Sequence, residues 1–470
     1  MRRTAVDFTV KVNDWDGFGV NYVEAAQTRD YQADPQEYGG FSTLTETDRQ
    51  QIIDLIFGDD GLKPGVLKMF LDPFHQPEPG ADYDWDPSVI DTGVYDHQST
   101  TQWMRYFVRH GLLRTRARGD DLSILTTLYG PPGWMTVQKF VRGRDLDPKY
   151  KFEAAKYLIS WASYLREVER FPVKYVCLHN EGEDWQRWPL DGSTAGTPNH
   201  DYNMYWPPEQ VVDFVRFMRG MLDAQGMQDV GIAPGETSNW VRFHEWGYAD
   251  ALADDSGAAK NLGLITSHGF YGRNPGRWYG DWRSVGIDGI RASAPGLHAW
   301  ATSTSWSQMD AFFVWEIHNN IYSAKVNAII PWATVQRSSK WVGGDPNPGT
   351  AIRVDDEGSY TIERGYYFYK QVCRAGQPGM AVARVRSNDS EISLIAFASN
   401  GSGNPDAFVV VNLAEEERDL NIEVVGSTST SFTAYRSSPS DRYRPLGDYA
   451  ADPEIVYRAP AGSVTTFYGL

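Results

Sequence analysis

The residues best placed to do chemistry are polar side chains that close apolar runs, and the clearest of them is Glu181. In Val173-Lys174-Tyr175-Val176-Cys177-Leu178-His179-Asn180-Glu181 the first six residues are mostly apolar or β-favouring, and the last three are polar. The stretch reads as a buried strand that presents Asn180 and Glu181 at its carboxyl end. A (β/α)8 barrel gathers its chemistry at that end of its strands. A carboxylic acid there can protonate a departing oxygen and afterwards, as carboxylate, activate water. Cleaving a β-glycoside with retention needs a second carboxyl group about 5 Å away to attack the anomeric carbon. Asn180 would then bind the sugar hydroxyl beside that carbon. The plainer alternative is that Glu181 pairs with one of the arginines; Asn180, Glu183 and Asp184 beside it weigh against that.

Other strand ends offer further candidates. Glu236 closes the run 230–236, His268 closes 262–268 with Tyr271 just beyond, and Trp332 closes 328–332. His268 and Tyr271 are expected to hydrogen-bond the substrate or the side chain at the end of strand seven, and Trp332 to floor the first sugar subsite. Trp134 follows the rigid Gly130-Pro131-Pro132-Gly133 and is expected either to be a sugar platform or to pack its loop. Lys68 in the run 65–72 would touch the attacking group or make a plain salt bridge. Asn21 and Tyr22 end the first barrel strand. Glu316, between Trp315 and Ile317 in a helix, reads as structural.

The elements that must hold these residues alternate. Strand-like runs at 17–22, 65–72, 122–128, 173–178, 230–236, 262–268, 297–302 and 328–332 are separated by helical patterns. Thr45 and Asp48 cap one helix, Asp147-Pro148 opens another, and 208–224 and 308–326 carry helical stripes. Eight such units predict an α/β fold, a (β/α)8 TIM barrel. After about Gln336 the pattern becomes short alternating or apolar runs between Gly, Ser, Asn and Asp, which predicts an antiparallel β-sandwich beside the barrel. The strand Phe8-Thr9-Val10-Lys11-Val12 is expected to join it. The predicted division is 1–14 with the side domain, 15–340 as barrel and 341–470 as sandwich. Long polar, aromatic loops at 73–97 and 185–206 are expected to wall a pocket or short cleft.

A chain of 470 residues suits one barrel of roughly 250 residues plus a smaller domain. The net charge of −17 argues against nucleic-acid binding, which needs a basic surface. Two cysteines make no disulfide framework, no zinc spacing occurs, and Cys177 reads as a small apolar residue. No run suits a signal peptide or a membrane span, so a cytoplasmic protein, or a secreted one whose leader has been removed, is expected. Aromatic residues make up 14% of the chain; most must fill the core, and some suit stacking on sugar rings.

The ordered pieces Gly17-Phe18-Gly19, Gly130-Pro131-Pro132-Gly133-Trp134-Met135, Leu146-Asp147-Pro148-Lys149-Tyr150, Leu178-His179-Asn180-Glu181 and Ser267-His268-Gly269-Phe270-Tyr271 resemble glycoside hydrolase family 30. The stretch Ala459-Pro460-Ala461-Gly462-Ser463-Val464-Thr465-Thr466-Phe467 is similar to that family's closing strand. The resemblance spans nearly the whole chain. It implies a side β-domain built from both termini, a retaining mechanism, a β-linked carbohydrate substrate, no cofactor, and Glu181 as acid/base. Gluco-, galacto-, xylo- and fuco-configured substrates all occur in the family.

Two positions depart from the family pattern. Gly182 stands where the family has proline, and Ser303, in Trp300-Ala301-Thr302-Ser303, stands where it has its nucleophilic glutamate. A serine hydroxyl is barely nucleophilic without an adjacent base. Three explanations are open: an engineered replacement of the nucleophile, a natural inverting enzyme in which water beside Ser303 attacks with Glu236 or another acid as base, or a non-catalytic carbohydrate-binding protein. A transglycosylase would be flagged by products longer than the substrate.

Overall fold

The computed structural model describes residues 2–25, 37–79, 88–187, 202–276, 278–306, 308–337, 339, 349–452 and 454–470. Parts of both expected wall loops, 73–97 and 185–206, lie outside the described residues.

The chain opens with β1 (Arg2–Asp14) and then enters the barrel with β2 (Gly17–Asn21), β3 (Val66–Leu71), β4 (Ser123–Leu128) and β5 (Val173–Cys177). It continues with β6 (Gly231–Ala233), β7 (Ile265–Ser267), β8 (Ala299–Ser305) and β9 (Ala328–Trp332). These eight barrel strands pair in the order β6-β5-β4-β3-β2-β9-β8-β7, and every pair is parallel. Bridges from Ile232 to Leu262 and from Thr237 to Ser267 join β6 to β7 and close the ring. Inward side chains from successive strands, Val66, Leu125, Cys177, Ala233, Leu264, Trp300, Ala328 and Ile330, pack into one plug that fills the lumen. Cys177 is thus a small apolar filler, as its position in an apolar run suggested.

The helices are α1 (Glu46–Phe57), α2 (Gln102–Ala117), α3 (Lys151–Glu167), α4 (Pro208–Ala224), α5 (Trp240–Glu245), α6 (Tyr248–Asp254), α7 (Ser256–Asn261), α8 (Val285–Ser293), α9 (Ala311–Tyr322) and α10 (Arg364–Ala375). Thr45 caps α1 by accepting from Asp48 N, the start its sequence announced. The helix expected over 308–326 is shorter at both ends. Asp310 accepts from Phe312 N and fixes its start.

A small sheet, β10 (Val335–Arg337), β11 (Ile352–Val354) and β12 (Tyr360–Ile362), follows the barrel. The side domain holds β13 (Ala381–Ser387), β14 (Ile392–Ala398), β15 (Ala407–Asn412), β16 (Arg418–Val425), β17 (Ser431–Ser437), β18 (Arg444–Ala450), β19 (Glu454–Ala459) and β20 (Val464–Gly469). With β1 they form one nine-stranded sheet, ordered β18-β17-β20-β15-β14-β13-β1-β16-β19. Phe8, Leu394, Phe408, Leu420, Phe432, Tyr457 and Phe467 share one core, so the sheet must curl over itself. The sheet is antiparallel, as expected, apart from one pair, β1 with β16, which run parallel.

The two bodies share a seam. On β15, Phe408 and Val410 face the sheet's own core while Val409 and Val411 join the barrel's core. That double burial explains an apolar run without alternation. Helix α10 belongs to the same seam, where Tyr369 Oη donates to Gly19 O at 2.7 Å.

Candidate active site

Beyond Cys177 the pairing of β5 with β6 resumes after an irregular turn. Glu236 N donates to His179 O at 2.9 Å and Glu181 N donates to Glu236 O at 2.7 Å. Glu181 itself adopts φ +42°, a left-handed backbone that non-glycine residues rarely take. The stretch around it holds that geometry. His179 Nδ1 accepts from Gly182 N at 3.1 Å, and its ring stacks on Trp206 at 5.8 Å. Burial pushes the His179 pKa down to about 4, so the ring is neutral and can serve as that acceptor. Gly235, at φ +137°, leaves the room for it, because a Cβ there would lie 1.9 Å from His179 Nε2.

The Glu181 side chain is 13% exposed, and His268 Nε2 lies 3.4 Å from its Oε1. His268 Nδ1 is 3.5 Å from Thr302 Oγ1 of β8, so the histidine spans from the acid toward strand seven of the barrel. Asn180 is buried, donates to Asn203 Oδ1 at 3.2 Å, and keeps an Oδ1 without a hydrogen-bond partner. Ahead of the acid, Glu183 and Asp184 lie 2.8 and 3.6 Å from the guanidinium of Arg242. Burial alone would raise Glu183, but Arg242 and the Ser238 bonds hold it below the ordinary carboxylate range. Arg242 is clasped between the rings of Trp246 at 4.4 Å and Trp278 at 4.5 Å. Nothing in the sequence singled Arg242 out among the other arginines.

A second cluster stands on β3, β6 and β8. Lys68 Nζ is 2.7 Å from Glu236 Oε2, and both side chains are fully buried. The same ammonium donates to Ser303 Oγ at 3.2 Å, while that hydroxyl donates to the Thr302 carbonyl. A register shift between Ala301 and Thr304 in the β8–β9 pairing lies at this point of the strand. Lys68 also lies 5.0 Å from the Phe70 ring, which meets Trp332 edge-on at 5.6 Å. Trp332 is 6% exposed and stacks toward Tyr129.

The structure thus brings Glu181 to His268, and Glu236 and Ser303 to Lys68, with Asn180 beside the acid and Trp332 beside Phe70. Two candidates sit elsewhere. Tyr271 stacks on Trp282 at 4.2 Å and accepts from Arg273 Nε, in an aromatic cluster with Trp315. Trp134 meets Tyr150 edge-on, and its indole donates to Gln76 O at 2.9 Å, which ties its loop to the next wall. Asn21 links the first and last barrel strands by accepting from Thr334 N, and Tyr22 Oη accepts from Phe41 N. Glu316 is pushed up to about 8 by burial. Among the described residues no group of three His, Cys, Asp or Glu side chains could hold a metal ion, and no helix is long and apolar enough to cross a membrane. A cleft of about 360 Å³ lined by Arg116, Arg166, Arg170 and Lys174 lies at the start of β5, away from Glu181.

Solved structures match this architecture over its whole length. The catalytic domain of a family 30 xylanase C from Talaromyces cellulolyticus superposes with TM-score 0.71 at 17% identity, covering 100% of both chains. The chain has a glycoside hydrolase family 30-like fold. A family 30 endoxylanase from Clostridium papyrosolvens gives TM-score 0.68 at 16% identity and covers 99% of each chain. An endo-β1,6-glucanase gives 0.67 at 14%, covering 99% of this chain and 94% of its own. No protein-family model and no curated protein matches the sequence.

Proposed function

We propose that this protein is a glycoside hydrolase acting on a β-linked glycoside or oligosaccharide, with Glu181 protonating the departing oxygen. The observation that carries this is the strand-end setting of Glu181. Its backbone is fixed in a strained turn by the β6 pairing, and its carboxyl group meets His268 beside Asn180 with its free Oδ1. Strain of that kind persists where the surroundings hold a side chain for use. The solved structures of the same fold support the reading, being xylanases and a glucanase by their own descriptions. Asn180 and His268 bind sugar hydroxyls, and Trp332 floors the first subsite. The frame is that of a retaining site with Ser303 in place of the nucleophile. Ser303 does not attack, because its hydroxyl hydrogen serves the Thr302 carbonyl and its other neighbour is an ammonium rather than a base.

The test is a panel of aryl β-glycosides in gluco, galacto, xylo and fuco configuration, offered to this chain and to Ser303→Glu, each with and without azide. Release of phenol from one sugar by either form is the expected result and names the substrate class. If both forms bind sugar but release no phenol from any member, hydrolysis is wrong and the protein is a glycan-binding one.

A further inference from the structure

Protonation by Glu181 leaves the most conspicuous group of the site unused. Glu236 is 0% exposed, and its Oε2 lies 2.7 Å from Lys68 Nζ without the alignment of a hydrogen bond, while its Oε1 has no partner at all. Leaving a buried acceptor of this strength unsatisfied is costly, and native structures rarely do so without a use for it. The missing donor is something the chain does not supply. Water is the smallest candidate.

Lys68 links this carboxylate to the anomalous serine. One ammonium contacts Glu236 of the β6 end and donates to Ser303 Oγ at 3.2 Å, so three barrel strands converge on one cation. A serine is several heavy atoms shorter than a glutamate, and its hydroxyl stands 3.2 Å from that same cation. The charges fit the serine as well. One ammonium faces one carboxylate, both buried, whereas a glutamate at 303 would crowd a second carboxylate onto it, and an uncompensated buried charge is strongly unfavourable.

We propose that Glu236 is the general base of this site: it deprotonates a water held beside Ser303, and the chain hydrolyses its β-glycoside with inversion. This rests on the glycosidase reading above. In the step, the water oxygen bonds to the anomeric carbon from the face opposite the departing group. The glycosidic bond breaks as Glu181 gives its proton to the leaving oxygen, and the proton of the attacking water passes to Glu236. One water is consumed, the new hydroxyl is axial, and the two carboxyl groups exchange their protonation states through solvent before the next turnover. Lys68 is a positioning residue that holds Glu236 and Ser303 at the water.

The experiment follows the first product by proton NMR, with an aryl β-glycoside of the sugar the panel identifies and the matching β-glycosyl fluoride. The expected first product of the unmodified chain is the α-anomer. Glu236→Gln is expected to lower kcat by about 10²- to 10⁴-fold on both substrates, the range of general base catalysis. Glu181→Gln should slow the aryl glycoside yet spare the fluoride, which leaves without protonation. Azide should restore turnover to Glu236→Ala as the α-glycosyl azide, which also shows that this variant is folded. A β-anomer first, or Glu236→Gln within threefold of the parent, overturns the proposal. Should only Ser303→Glu turn over, with the β-anomer first, Glu236 is no base and the glycosidase reading survives. Silence from both forms on every sugar removes the two together.

Discussion

Gly182, where the resembling family has proline, shows how a single residue is tied to the acid before it. Its N–H donates to His179 Nδ1 at 3.1 Å, and a Cβ there would lie 2.7 Å from Met204 O. A proline has no N–H to give and constrains the backbone of the residue before it, here Glu181 at φ +42°. Gly182→Pro is therefore expected to cost about 3 kcal/mol or more, and to show a loss of kcat beyond the loss of folded protein. Thermal unfolding beside kcat on the active aryl glycoside checks it; an unchanged midpoint with full activity would refute the account. The site was half legible at this scale. Glu181 and Asn180 could be read because an apolar run that ends in acid has few meanings. The contact of Lys68 with Glu236 and Ser303 could not, because those residues meet only when the barrel closes, and no local pattern records which strands face one another across the lumen.

Among elements, the barrel strands were readable because burial on both faces leaves mostly apolar runs, as in β9 and, Lys68 apart, β3. Helices α5, α6 and α7 were not, being six or seven residues each and too short to show a helical period. The parallel pairing of β1 with β16 was equally hidden, since its partners lie more than 400 residues apart in sequence. Helix α5 owes its place to particular contacts instead: Asn239 caps it by accepting from Arg242 N at 2.9 Å, and the Arg242 guanidinium reaches Glu183. Arg242 is 1% exposed, so Arg242→Ala would leave Glu183 as a buried carboxylate without its cation. Losing one partner of such a pair costs about 3–5 kcal/mol. Arg242→Lys is expected to recover less than half of that, because a single ammonium cannot serve Glu183 and Asp184 while lying flat between Trp246 and Trp278. Urea unfolding of both variants decides the point, and equal stability of Lys and Arg forms would show that charge alone matters.

For the molecule as a whole, buried titratable groups set a pH optimum for stability. Burial raises Glu24 and Glu316 to about 8 and Glu37 to about 7. Between their unfolded values near 4.5 and these folded ones, the native state holds protons that the unfolded chain has lost, so stability falls as pH rises through that window. Histidines buried neutral act oppositely: His97 is pushed down to about 2 and His179 to about 4, and their contribution grows as pH rises to the unfolded value near 6.5. Below about 6.5 the two histidines offset two of the three glutamates. Above it the histidines are spent, and His298, raised by its bond to Asp16, adds to the decline. At still higher pH Cys177 and Cys373, both raised by burial, extend it. Stability should therefore be highest near pH 5, ease off to 6.5, and drop by roughly 3–4 kcal/mol between 6.5 and 8, at about 1.4 kcal/mol per unit for each of Glu24 and Glu316. Glu316 lies in α9, apart from the Glu181 and Glu236 groups, so Glu316→Gln should remove about half of that drop and raise the thermal midpoint at pH 8 while leaving it nearly unchanged at pH 4.5. Melting curves of the two forms from pH 4.5 to 8 test this directly. A parent profile flat above 6.5, or a Glu316→Gln form that is no more stable at pH 8, would mean that these glutamates are solvated in the folded protein.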